Sequence, residues 1–422
     1  MRPFQAVSFS ILIHSLIVNA HSASNLRRSN DIVDPRLHHK HHKGHLSDGR
    51  IKFAQEFNDG IHLEVDPSCG VISSHSWISE VNAGIDWQKM ETVVAFGDSY
   101  TQVGNSGDGS APTPLRFVGK NPSAGGRNTN GETWIEQLVY YEASEDRPRK
   151  LLSYAQSGAT TDKEIWPSRR WADDFPSQLS RFYANNTELK LDPATTVYVG
   201  YFGINDFWSI GTDGNNMERA GRRAASLIQD LHENAGAVNF LWIGVQFAKT
   251  TAGDYNRALW NGLRDLHQTT KDLGEDKAVK FAYADAGRFF SAIHEWYPKF
   301  GYTSSKHCLE GQRASIEDEC EEPEKTVYYM GAHPSRQTHR ILAEYVASVL
   351  TKCRIREEKQ SYDSLSYHGS SLNGYLPSYL TSGHLYIFAF LVLSFCAYRP
   401  IMRLSRRGAF GGPITLMSPR RY

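Results

Sequence analysis

At 422 residues the chain is longer than one ordinary domain, and 40% hydrophobic residues are ample for a core. Lysine plus arginine and aspartate plus glutamate number 46 each, so the formal net charge is zero. No overall field points to nucleic acid or an acidic polymer, and no nucleic-acid partner is expected.

Met1-Arg2, the apolar run from Ala6 to Val18 and the small residue Ala20 make residues 1–20 a secretory signal peptide. Residues 21–50 read as a disordered linker marked by His38-His-Lys-His-His42-Lys-Gly-His45. These imidazoles lack the cysteine or carboxylate spacing of a closed site, so neither metal nor cofactor is expected. Residues 51–354 form the main globular domain, beginning with a lead-in that runs to Trp87.

Within Val93-Val-Ala-Phe-Gly-Asp-Ser-Tyr, a short run of β-formers ends on Ser99, which sets a hydroxyl at the carboxyl end of a buried parallel strand. A second strand at Leu151-Leu152 runs into Tyr154-Ala-Gln-Ser-Gly158. A third, from Val197, ends in Gly203-Ile-Asn205-Asp206. Residues 238–245 and 279–284 are the fourth and fifth strands. Helical patterns near 134–141, 176–183, 217–233, 255–270 and 287–296 separate them. The alternation predicts an α/β fold: a three-layer, doubly wound, parallel five-stranded sheet. Asn185-Asn-Thr187 is a glycosylation sequon, placed in a polar loop between helix and strand. Met330-Gly-Ala-His333-Pro334 precedes an amphipathic helix through Ile341, Leu342, Tyr345 and Val346.

The secretory reading makes disulfides expected among the five cysteines. Cys308 and Cys320 bracket an acidic insertion, where a bridge would pin the segment leading to His333. Cys69 and Cys353 flank the domain and could tie its ends, and Cys396 is left free or palmitoylated. Residues 355–378 read as a stalk. The apolar run Leu385 to Tyr398 is short of the ~20 residues a span needs, and starting at Tyr379 supplies the rest. Residues 379–398 are thus a transmembrane helix and 399–422 a basic cytoplasmic tail, in a single-pass type I arrangement with a lumenal or extracellular domain.

Singly, Gly158 reads as a tight turn, Asn205 as a helix cap and His333 as a loop histidine. Jointly, each after a strand or before a helix, they supply Ser99 with two oxyanion donors and a base. In this order the blocks resemble the GDSL hydrolases, also called the Ser-Gly-Asn-His (SGNH) superfamily, over residues 81–352. Asn82-Ala-Gly-Ile-Asp-Trp87, Gly203-Ile-Asn-Asp206 and His333-Pro-Ser-Arg-Gln-Thr-His339 lean toward fungal secreted esterases of carbohydrate esterase family sixteen, mostly acetylesterases.

The resemblance implies a flavodoxin-like SGNH fold, Ser99 and His333 as catalytic residues, and an oxyanion hole of the Ser99 and Gly158 N–H groups and the Asn205 side chain. It also implies a triad aspartate three residues before the histidine, where this chain has Met330. A backbone carbonyl could orient the imidazole instead, or Asp285, Glu322 or Glu324 could reach in. The implied activity is hydrolysis of a carboxylic ester, an acetylated small molecule or oligosaccharide. The alternatives are a lipid esterase or lysophospholipase at the membrane, and a carbohydrate-binding surface protein weakened at Met330. Trp134, Trp166 and Trp208 lie in or near motif loops and could stack on a sugar face.

Overall fold

The computed structural model describes residues 59–72, 78–140, 148–247, 250–310 and 314–355. The segments expected to be a signal peptide, a His-rich linker, a stalk, a transmembrane helix (379–398) and a basic tail, with Cys396, lie outside the described residues, apart from the first residue of the expected stalk, Ile355. Among the described residues no helix is long and apolar enough to cross a membrane.

The strands Thr92–Gly97 (β2) and Thr196–Tyr201 (β4) lie parallel and buried side by side, in register from Thr92↔Thr196 to Gly97↔Tyr201. Covered on both faces, they are apolar without alternation. Gly200 is required in β4 because a Cβ there would stand 2.2 Å from Trp242 Cη2. Lys150–Ser153 (β3), Asn239–Gly244 (β5) and Lys280–Asp285 (β6) complete the five parallel strands expected.

The sheet nevertheless has six strands and is mixed. Val81–Ala83 (β1) adds an antiparallel edge on β6, giving the order β1-β6-β5-β4-β2-β3. Three residues show no periodicity, and the central Asn82 reads as polar. Its amide donates to Ile85 O (2.9 Å) and Leu350 O (2.6 Å) and accepts from Ile85 N (2.8 Å), which makes its burial affordable.

The helices Trp134–Tyr140 (α1), Ala286–Trp296 (α6) and Arg336–Lys352 (α7) pack together on one face. Phe175–Leu189 (α2), Met217–Ala235 (α4) and Ala252–Thr270 (α5) cover the other, as right-handed crossovers running both ways from β2 require. The direction of winding reverses between β2 and β4, so a crevice opens at their carboxyl ends, where such folds bind ligands.

The sequon is not in a loop. Asn185 lies near the end of α2, with its Nδ2 donating to Asp108 O at 2.9 Å. The helix outruns its amphipathic pattern because its last turns are largely exposed, and it stops only where Lys190 turns left-handed at φ 46°.

A second, small sheet of Ser304–Leu309 (β7), Thr326–Met330 (β8) and His333–Pro334 (β9) carries the histidine. Both disulfides form: Cys308–Cys320 ties β7 to the acidic segment before β8, and Cys69–Cys353 joins the lead-in to the end of α7. The lead-in packs on α7 through Asp59, which accepts from Arg340 Nη2 at 3.1 Å.

Candidate active site

Ser99 lies two residues past the end of β2 and is buried, with its Oγ 2.9 Å from His333 Nε2. On the far side of the ring, Nδ1 lies 3.1 Å from the main-chain oxygen of Met330. A carbonyl can only accept, so Nδ1 carries the hydrogen and Nε2 is left to receive the serine proton. Burial lowers the His333 pKa below the ordinary histidine value, and the Met330 carbonyl partly opposes that fall.

None of the candidate acids is hydrogen-bonded to His333. Asp285 caps α6 by accepting from Gly287 N at 2.9 Å, Glu322 lies within 3.5 Å of Thr303 Oγ1, and Glu324 sits in the 3-10 turn before β8. Of the possibilities weighed from sequence, the main-chain oxygen is the one in place. The Met330 side chain turns the other way, onto Cys308, Leu309 and Tyr329. His339 is fully buried, accepts from Trp134 N at 3.2 Å, and has its pKa pushed down to about 3 by burial and by His333. It is a neutral helix-capping histidine.

Asn205 lies between the turn that carries Ser99 and the turn that carries Gly158. Asn205 opens the helix Ile204–Asp213 (α3), and its Nδ2 donates to Ala159 O at 2.9 Å and lies 3.4 Å from Asp98 Oδ2. It thus touches the neighbour of Gly158 and the neighbour of Ser99 at once. Gly158 is left-handed at φ 82°, a conformation that a residue with a Cβ adopts at a cost.

Asp98 accepts from Tyr100 N at 3.0 Å, and complete burial pushes its pKa up to about 8, so its part is to shape the turn. Asp206, also fully buried, accepts from Thr161 N through both oxygens (3.1 Å each) and from Trp166 Nε1 (2.5 Å). Burial raises its pKa to about 6 against those bonds. This carboxylate fastens the turn that follows Gly158 onto the helix that carries Asn205.

Several supporting residues escaped the sequence reading. Tyr100 donates its hydroxyl to Ala332 O (2.5 Å) and packs on His333. Gln246 holds that hydroxyl from Nε2 (3.1 Å) and in turn accepts from Tyr201 (2.5 Å). Tyr100 adjoins Ser99 in sequence, so adjacency was a signal; Gln246 gave none. Trp134 and Trp166 are fully buried and available to no sugar, whereas Trp208 is exposed, and Trp171, not singled out before, is more so.

The profile of the GDSL-like lipase/acylhydrolase family matches residues 93–346. Thermolabile hemolysin of Vibrio parahaemolyticus serotype O3:K6 (strain RIMD 2210633) is 24% identical over 285 residues, or 62% of this chain. The match spans 64% of that relative, less than two thirds of its length. The crystal structure of a Parabacteroides merdae ATCC 43184 protein described as a GDSL-like lipase aligns over 62% of this chain and 96% of its own. Its sequence identity is 12% and its TM-score 0.34.

Proposed function

The chain belongs to the GDSL-like lipase/acylhydrolase family, whose chemistry is ester hydrolysis, and on that premise we propose that Ser99 is its nucleophile and His333 its general base. The observation that carries this reading is the 2.9 Å contact between Ser99 Oγ and His333 Nε2, with Nδ1 held by the Met330 carbonyl. Nε2 takes the serine proton as Oγ attacks the ester carbonyl. The oxyanion is met by the Ser99 and Gly158 N–H groups and by the Asn205 amide. That amide keeps its bond to Ala159 O and turns to the oxyanion the hydrogen that otherwise makes the long 3.4 Å contact with Asp98. Collapse expels the alcohol, which takes the proton from His333, and leaves an acyl-serine. Water, deprotonated by the same imidazole, then releases the acid and restores Ser99.

The finer reading is an acetyl ester of a carbohydrate, and it rests on the fungal acetylesterase-like blocks around Asn82, Asn205 and His333. A lipid ester at a membrane is the second reading, favoured by the likeness to a protein named as a hemolysin. A fluorophosphonate probe should label Ser99, and Ser99→Ala should abolish hydrolysis. Labelling of another serine with Ser99→Ala fully active would overturn the assignment. The ratio of rates on a short acetyl ester and a long-chain ester then separates sugar from lipid.

The location proposed is the secretory pathway, with one C-terminal tether at 379–398 and a sugar on Asn185. Two disulfides support an oxidising compartment. Full-length protein should stay with membranes through a carbonate wash, and a chain ending at Lys359 should be secreted. Full-length protein in the medium with its C-terminus intact would rule the tether out.

A further inference from the structure

Two indoles stand in solvent beside the oxyanion donors, Trp171 at 76% and Trp208 at 56% exposure. Trp171 faces Gly158: a Cβ placed on that glycine would lie 4.0 Å from Trp171 Cζ3 and Cη2. Trp208 lies one helical turn beyond Asn205 on α3. Both are held in place. The Arg169 guanidinium sits 5.8 Å from the Trp171 ring centroid, and its Nε donates to Ser209 Oγ (3.3 Å), which donates to Asn205 O (2.7 Å). Trp208 rests edge-on against Phe207 and Phe247, at 5.7 and 6.1 Å.

Phe247 itself is left-handed at φ 78°, a conformation costly for a non-glycine residue that persists where surrounding contacts impose it. Here the Phe247 carbonyl takes bonds from Thr250 N and Oγ1, and its ring stacks on Phe207 at 4.9 Å. Two large indoles kept in water, each braced by its neighbours and both flanking the oxyanion donors, offer a surface for a ligand.

We propose that Trp171 and Trp208 form the subsite for the alcohol part of the substrate, a carbohydrate whose apolar C–H face lies on the indoles. The inference rests on the ester-hydrolase reading of the same site and assigns the residues that hold its alcohol. Trp208 has Phe207 and Phe247 behind it, and between the two plates run polar groups: Arg169, bonded to Ser209, and Ser168, bonded to Asp213. That mixture suits a ring with an apolar face and a hydroxyl rim better than an acyl chain or a bilayer.

The test uses O-acetylated xylo-oligosaccharide as substrate, unacetylated xylotetraose as a binding probe, and phosphatidylcholine vesicles. Trp171→Ala should raise KM for the acetylated oligosaccharide about tenfold with kcat within about threefold, and Trp171→Phe should recover part of the loss. Trp208→Ala should act in the same direction. Xylotetraose should shift the fluorescence of the wild type and not that of Trp171→Ala. Because Trp171 is 76% exposed, Tm of the Trp171 variants should not move.

Unchanged KM and unchanged xylotetraose binding in both alanine variants would overturn the proposal, as would loss of vesicle binding with sugar binding intact. Binding of xylotetraose needs no turnover. A wild type that binds it through Trp171 yet hydrolyses no ester would refute the hydrolase reading and leave the subsite standing. A wild type that hydrolyses acetate esters with indifferent tryptophans would do the reverse.

Discussion

His333 Nδ1 faces the main-chain oxygen of Met330 at 3.1 Å, so the residue three positions upstream holds the imidazole without offering a side chain. In serine proteases, replacing the triad aspartate by asparagine costs about 10⁴ in turnover because the imidazole adopts the wrong tautomer. A carbonyl cannot donate and so cannot cause that error. It supplies orientation but no full charge to the imidazolium that forms.

Substitution at 330 should therefore follow packing rather than catalysis. Met330→Leu is expected to keep kcat within about twofold. Met330→Asp should not raise it, because the side chain points at the Cys308–Leu309–Tyr329 cluster and a carboxylate there would lose roughly 1–3 kcal/mol of stability. Kinetics beside denaturant unfolding checks this, and a faster, equally stable Met330→Asp enzyme would show that the aspartate can reach the ring.

The acid limb of kcat/KM should lie below about 6.5, the ordinary histidine value. His333 must be neutral to accept a proton; that form prevails above its pKa, and burial has lowered that pKa. Activity is thus retained on mild acidification and lost as pH falls through the lowered value. A limb above 6.5 would betray a carboxylate stabilising the imidazolium, contrary to the geometry.

Asp206 should act through Asn205. Asn205→Ala is expected to cost about 10²–10³ in kcat with a smaller change in KM. Asp206→Asn releases the turn after Gly158 from α3 and should lower kcat as well. In the double variant the losses should overlap, with a coupling energy of about 0.5–3 kcal/mol. Simple additivity would mean that Asp206 serves stability alone.

The two disulfides should differ in what they contribute. Cys69–Cys353 closes 284 residues and Cys308–Cys320 only 12. Chain entropy then assigns about 6 kcal/mol to the first and about 3 to the second. Paired serine variants compared by denaturant midpoint would test the order, and equal losses would show that residual structure in the unfolded chain dominates.

The sequence by itself determined the five central strands and most of the helices that cover them, because buried parallel strands must be apolar throughout and the helices between them amphipathic. It also placed Ser99, Gly158, Asn205 and His333 at strand ends and before helices, where small residues and polar side chains interrupt apolar runs. It did not show the edge strand at Val81 or the β7–β9 sheet. Those pieces are short, and their pairing is with residues far along the chain.

Only the tertiary structure decided which atom holds His333, since a main-chain oxygen is carried by every residue and leaves no mark in the sequence. The tryptophans divided for a similar reason. Trp134 and Trp166 belong to the core while Trp171 and Trp208 face water, and that depends on which surfaces the fold brings together. Composition and spacing limit the chemistry available to a chain; the approach of distant segments chooses among the atoms that perform it.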